Sequence, residues 1–306
     1  MKKFLLPAVI AIAASVSQAS AADLGKMVTK AAPPPAPAPT WDVAFGASVM
    51  SDYNFRGVSQ SNKGASASAY FEPQFFTPIG TFYVGVAGYA IDWPSSPAYG
   101  FTNPSAEIDF YGGWRNTWGA FSLDLGFLYY YYPKEIWNGF TDNSDFWEVY
   151  AKLAYAITPD LVVGANAFYS PDVLNYSETF DTLANLGLGI PGDAAGLYAS
   201  GTLKWVTPWK MGDLGSFISG EVGHWWIEKD AFIGAGYVNP SYTYYNAGLA
   251  FTYKALTLDL RYHGTDQDDL DCTAFLVSTL GNPSNSWCGD TFIVSFKGDT
   301  TLNALK

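Results

Sequence analysis

The chain has 306 residues, a formal net charge of -12, 14% charged and 17% aromatic residues, and two cysteines. A soluble domain carries about 25% charged residues, so this chain is short of charge. Yet no run after residue 21 is apolar enough to cross a bilayer as a helix, which takes roughly 20 apolar residues. The acidic balance argues against nucleic-acid binding, which needs Lys/Arg patches.

The first 21 residues read as an export signal: basic Lys2 and Lys3, an apolar stretch from Phe4 to Val16, and a small-residue cleavage site at Ala19-Ser20-Ala21. Residues 22–40, with the run AAPPPAPAP, form an extended periplasmic spacer that supports neither helix nor sheet. A barrel over 41–298 and a tail over 299–306 complete the predicted organisation.

From Trp41 the chain alternates. Trp41, Val43, Phe45, Ala47, Val49, Tyr53 and Phe55 are apolar or aromatic, with Asp42, Ser48, Asp52, Asn54 and Arg56 between them. Period two predicts an extended strand whose faces meet different surroundings. Twelve such strands are predicted near 41–53, 65–75, 81–92, 106–115, 119–131, 145–155, 161–169, 196–206, 215–225, 242–253, 255–263 and 291–297. Tight connections follow the even strands and long ones the odd strands, the habit of outer-membrane barrels with short periplasmic turns and long extracellular loops. Aromatics gather at strand ends, as interfacial girdles require: Tyr129 to Tyr132, Trp93, Trp137, Trp225 and Trp226 at the loop end, and Trp114, Trp118, Tyr155, Trp205, Trp209 and Tyr253 at the turn end. The expected fold is an all-β, antiparallel, up-and-down transmembrane β-barrel in the bacterial outer membrane. An exported soluble β-sandwich is the alternative.

At residues 51–72, SDYNFRGVSQSNKGASASAYFE, the chain resembles the TorF-type porin family of proteobacteria. Asp52 to Gln60 carries the strongest likeness, joined by FYVGVAGYAID at 82–92, EIDFYGGW at 107–114 and LDLGFLYYYYP at 123–133. The resemblance implies an outer-membrane barrel assigned as a porin largely by inference, without catalytic residues or a settled solute.

Charges within the strands cannot face hydrocarbon, so they are expected to line an interior. The acids are Asp42, Glu72, Glu107, Asp109, Asp124, Glu148, Glu221 and Asp259; the bases are Arg115, Lys152, Lys204, Arg261 and Lys297. Opposed pairs among them would also brace the wall. The acids outnumber the bases, and carboxylate-lined pores favour cations. The expected function is a weakly cation-selective porin for small hydrophilic solutes, without cofactor. Its partners are outer-membrane lipid and lipopolysaccharide, the solutes or cations themselves, and in one reading further copies of the chain. Arg56 is either a loop anchor paired with an interior carboxylate or part of a turn that Gly57 and Gly64 simply permit. An inward fold of the 132–144 or 170–195 loop would reduce conduction.

Cys272 and Cys288, in an exported chain, read as a disulfide closing the last loop. With no Cys-x-x-Cys partner or histidine set they do not suggest zinc. Asp266, Asp268, Asp269 and Asp271 offer oxygens to a hard cation but lack the glycine and final glutamate of an EF-hand; a solvated acidic loop is the simpler reading. A structural or adhesive barrel without an open lumen is a second function. A barrel hydrolase would need His263 beside Asp259 or Asp266, because His224 is expected to point outward.

Overall fold

The computed structural model describes residues 39–93, 101–102, 104–134, 136–137, 144–175, 177, 194–228, 232–233, 236–237, 241–267 and 288–305. The export signal, most of the spacer, Asp268, Asp269, Asp271 and Cys272 lie outside these residues.

Twelve strands close into one antiparallel barrel. They are β1 (Trp41–Met50), β2 (Ser66–Thr77), β3 (Gly80–Ala90), β4 (Ala106–Trp118), β5 (Phe121–Tyr131), β6 (Phe146–Thr158), β7 (Leu161–Ser170), β8 (Gly196–Val206), β9 (Leu214–Ile227), β10 (Tyr242–Tyr253), β11 (Leu256–Thr265) and β12 (Thr291–Thr301). Each pairs with its sequence neighbour, and β1 meets β12 with Ala44 opposite Thr301 and Met50 opposite Ser295. Closure leaves no unpaired edge in the wall. The connections after the even strands are short, and the chain enters and leaves the barrel at that same end. All the long connections gather at the other end.

Burial in this barrel is inverted. Val49, Phe71, Val84, Phe110, Phe127, Val149, Leu203, Val222 and Phe292 lie on the outer face, with Val84 56% exposed. Their neighbours in the alternation face inward: Glu107, Asp109, Asp124 and Glu148 are buried, the last only 1% exposed. A single strand shows the rule. On β6, Trp147, Val149, Leu153 and Tyr155 are exposed, while Glu148, Tyr150 and Ala154 are buried.

Tyrosines on the inner wall lie over glycines of neighbouring strands. Tyr111 covers Gly85, Tyr83 covers Gly113 and Tyr150 covers Gly126, and a methyl group at any of the three would collide with the ring. Glycine therefore allows an aromatic ring to lie flat against the sheet, the device that rescues glycine in a strand.

Two predicted boundaries move. The alternation extends the first strand to residue 53, but β1 ends at Met50; Ser51 N–H donates to the Val294 carbonyl at 2.9 Å and the chain then turns inward. The last strand runs beyond the predicted residue 297 to Thr301. Asp299, assigned by the sequence to a tail, thus belongs to the wall, buried and 3.6 Å from Lys297.

Candidate functional site

The loop end of the interior is filled from the first long connection. Asn54–Phe55 and Val58–Ser59 form a small antiparallel hairpin whose two-residue turn is Arg56-Gly57. Both turn residues have positive φ, 50° and 93°, as the twist of a tight hairpin demands. Gly57 adopts this freely, whereas Arg56 does not, and an uncommon backbone at a non-glycine residue persists when its surroundings over-determine it. Asn54 Oδ1 accepts from Gly57 N–H at 2.9 Å and holds the turn.

Arg56 supplies those surroundings. Its Nη1 and Nη2 donate to Glu148 Oε1 and Oε2, both at 2.8 Å, and neither residue has appreciable exposure. The guanidinium also lies 4.4–4.8 Å from the ring centres of Phe55, Phe168, Tyr198 and Trp225. A planar, bidentate cation among aromatic faces is an arginine site that lysine would not reproduce. Tyr130 Oη donates to Glu148 Oε2 at 2.9 Å and completes the carboxylate.

The rest of the loop is tied on several sides. Tyr53 Oη and Tyr132 Oη donate to opposite oxygens of Glu107 at 2.6 and 2.8 Å, and the Tyr53 ring stacks on Tyr89 at 4.6 Å. Asp52 Oδ1 accepts from Ser59 and Ser61 at 2.6 and 3.0 Å. Burial is the largest influence on the Asp52 carboxyl and pushes its pKa up, against these hydroxyl donors and Lys63. Trp93 Nε1 donates to Gln60 Oε1 at 2.7 Å, and Lys63 Nζ to the Cys288 carbonyl at 3.1 Å. The loop thus touches the wall from β3 to β9 and the end of the last connection. Val173, in a single turn of 3-10 helix at Val173–Asn175, packs into the same cluster. Of the two loops expected to fold inward, residues 138–143 and 178–193 lie outside the described residues, while Tyr132 and Val173 pack inside the barrel beside the first connection.

Toward the turn end the charges belong to the wall and brace it. Arg115 Nη2 meets Glu72 Oε1 at 2.9 Å, its Nε lies 3.7 Å from Asp124, and its guanidinium covers the Tyr83 ring. Tyr83 Oη bonds both Asp124 and Tyr150. Arg261 binds Asp259 at 2.9 Å, Ser219 at 2.7 Å and Asn246 at 2.5 Å. Lys152 lies over Tyr150 and Lys204 over Phe217. Asp42 caps the barrel mouth, accepting from Val43 and Asn303 N–H groups. Glu221 stands higher, with Tyr198 Oη donating to it at 2.8 Å.

Two expectations change. Tyr130, Tyr132 and Trp225, read as part of an outer girdle, are buried inside the barrel, whereas Tyr131 and Trp226 are exposed. Strict alternation had to divide them, because consecutive residues cannot share a face. His263 is bonded to Tyr244 Oη at 2.9 Å, while Asp259 is held by Arg261, so the two do not form a pair. His224 bonds Thr243 and lies beside Trp226 on the outer face. Asp266 accepts from Thr243 N–H at 2.6 Å. Among the described residues, no group of three His, Cys, Asp or Glu is placed to hold a metal ion.

The sequence profile of a family described as "Bacterial protein of unknown function (Gcw_chp)" matches residues 35–288. The chain belongs to this family. No curated protein matches this Gcw_chp chain. Among solved structures it is similar to the NanC porin, at 10% identity and a TM-score of 0.47 over 84% of this chain and 98% of that one. It is similar also to an outer membrane channel from Pseudomonas putida F1, at 9% identity and 0.48 over 89% and 100%. The Pseudomonas putida toluene transporter TodX gives 11% and 0.39 over 86% and 88%.

Proposed function

We propose that this chain is an outer-membrane channel of porin type for small hydrophilic solutes, constricted at its outer end by the 51–64 loop. The inverted burial carries the reading: a face bearing Val84, Phe110 and Phe127 suits hydrocarbon, and a ring of ionised side chains suits water. The turns and both ends of the barrel are then periplasmic, and the long loops face the exterior, in contact with lipopolysaccharide. The likeness of Asp52 to Gln60 to TorF-type porins agrees with this assignment, and those residues build the inward hairpin. The Cys272–Cys288 pair is proposed as a disulfide restraining the last loop.

Carboxylates dominate the outer half, where Glu107, Asp109, Glu148 and Glu221 stand on the inner wall and Arg56 pairs with Glu148, and this favours cations. Small single-channel steps with a cation-directed reversal potential in a KCl gradient are expected from the refolded protein in planar bilayers. Anion preference would remove the selectivity. The inward loop favours a second reading, a structural barrel without an open lumen. Absence of conductance both in the natural protein and in one lacking the Arg56 anchor would establish that reading instead.

A further inference from the structure

Lys204 is the base of the inner half that braces nothing. Arg115 holds Glu72, Arg261 holds Asp259, Lys297 lies beside Asp299, and Lys152 stands in the field of Asp124. Among the described residues no acid comes within ion-pair distance of Lys204, whose ammonium lies 4.3 Å from the centre of the Phe217 ring. Lys204 shares the inner face of β8 with Tyr198 and Ser200, which are buried. Lys204 is exposed, so water reaches it inside the barrel, close to the turn end of the strand. Ser219 stands directly opposite on β9 and is half-buried. The Arg261 guanidinium lies across Gly248, where a methyl group would crowd it, and donates to Ser219 Oγ at 2.7 Å. A serine hydroxyl has one hydrogen of its own to give, and that of Ser219 has no acceptor among the described residues. An ammonium and a hydroxyl therefore stand on paired strands, at an open part of the lumen, with hydrogens unspent. Asp259 offsets Arg261 and Asp299 offsets Lys297, which leaves the single charge of Lys204.

We infer that Lys204 and Ser219 bind the carboxylate of a small monoanionic solute on the turn-end side of the inward loop. One carboxylate oxygen accepts from the Lys204 ammonium, in a charge-assisted bond, and the other accepts from the Ser219 hydroxyl. One negative charge matches the one positive charge left over. The carboxylates proposed to favour cations stand in the outer half, so an anion entering at the turn end reaches Lys204 without passing them. The site names a solute chemistry for the proposed channel and rests on that reading for its meaning, whereas the binding is measurable without any current.

Titration of the full refolded chain in detergent micelles with sodium acetate tests it, read by broadening of the acetate methyl resonance with sodium chloride holding the ionic strength constant. Saturable acetate binding is expected, about tenfold weaker in Lys204→Gln and in Lys204→Met, where a charged donor is lost, and severalfold weaker in Ser219→Ala. Lys210→Gln removes the same charge from the neighbouring turn and is expected to change nothing. Heat-modifiable migration on gels identifies the folded variants, and two Lys204 substitutions guard against one misfolding. Equal affinity in a folded Lys204 variant overturns the site, and so does an equal loss in Lys210→Gln, which would mean diffuse attraction to the barrel mouth. A natural protein that conducts but shows no saturable acetate binding also overturns it and leaves the channel intact. Saturable, Lys204-dependent binding in a protein that never conducts supports the site and removes the channel.

Discussion

In the outer half of the interior Arg56 arrives from a loop and meets Glu148 across the barrel, with side chains only 6% and 1% exposed. In the inner half Arg115 comes from the wall, meets Glu72 one strand beyond its neighbour, and keeps a quarter of its side chain exposed. Both are arginine–carboxylate pairs of about the same length, yet they do different physical work. The inner pair braces strands that backbone hydrogen bonds already hold. The outer pair fixes a segment whose backbone is held by its own short hairpin and by isolated bonds such as Asp92 N–H to the Gln60 carbonyl at 2.8 Å, so loss of a side chain there changes whether the loop stays inside.

Arg56→Ala separates the two halves most strongly. Breaking a buried pair leaves an uncompensated charge and costs about 3–5 kcal/mol; here Glu148 would keep only Tyr130 as donor. The expected outcome is a lower unfolding midpoint together with a severalfold larger single-channel conductance, as the loop leaves the lumen. Arg115→Ala is expected to leave conductance within twofold. Equal effects from both would mean that the loop does not limit the passage.

The two faces of the wall differ next. Val84 is outward on β3 and Tyr83, beside it, is inward and bonded to Asp124. In the proposed membrane setting Val84→Lys places a charge in hydrocarbon at a cost of about 2–4 kcal/mol. Ser68→Lys, on the inner face of β2, is expected to cost far less, read as the urea midpoint for folding into lipid vesicles. A larger penalty at Ser68 than at Val84 would reverse the faces and remove the membrane assignment. Gly85→Val follows in size: its side chain would drive Tyr111 off the wall, an overpacking of about 1–3 kcal/mol, visible in the same midpoint.

The wall was legible in the sequence because a strand with two environments writes period two into its residues, and connection length then gave the ends. The interior carboxylates followed from the same rule. The loop was harder. Tyr53 and Phe55 continue the alternation of β1, so nothing in residues 51–56 marks where the strand stops and the hairpin begins. The Arg56-Gly57 turn gives a weak local signal, but which carboxylate Arg56 reaches depends on the curvature of a closed barrel, and Glu148 is 92 residues away. The run Tyr129–Tyr132 misled for another reason: aromaticity drew attention from the parity that sends Tyr130 and Tyr132 inward. Asp299 was hidden because it follows Gly298, where the alternation fades, although it shares a face with Lys297 two residues before it.

The smallest effect falls on the inner half and sharpens the electrostatic side of the contrast. Lys297 lies 3.6 Å from Asp299, with its side chain 20% exposed. Such a partly solvated pair is worth about 0–1 kcal/mol, so Lys297→Gln is expected to leave the unfolding midpoint nearly unchanged. Its charge still faces the lumen, and removing it makes the inner half more negative by one charge. The reversal potential in a KCl gradient should therefore move further toward cations by a few millivolts, and the shift should shrink as salt screens it. Glu221→Gln, in the carboxylate-rich half, is expected to move the potential in the opposite sense. Shifts of the same sign from both substitutions would mean that ions do not pass along the ring of side chains that distinguishes the two halves.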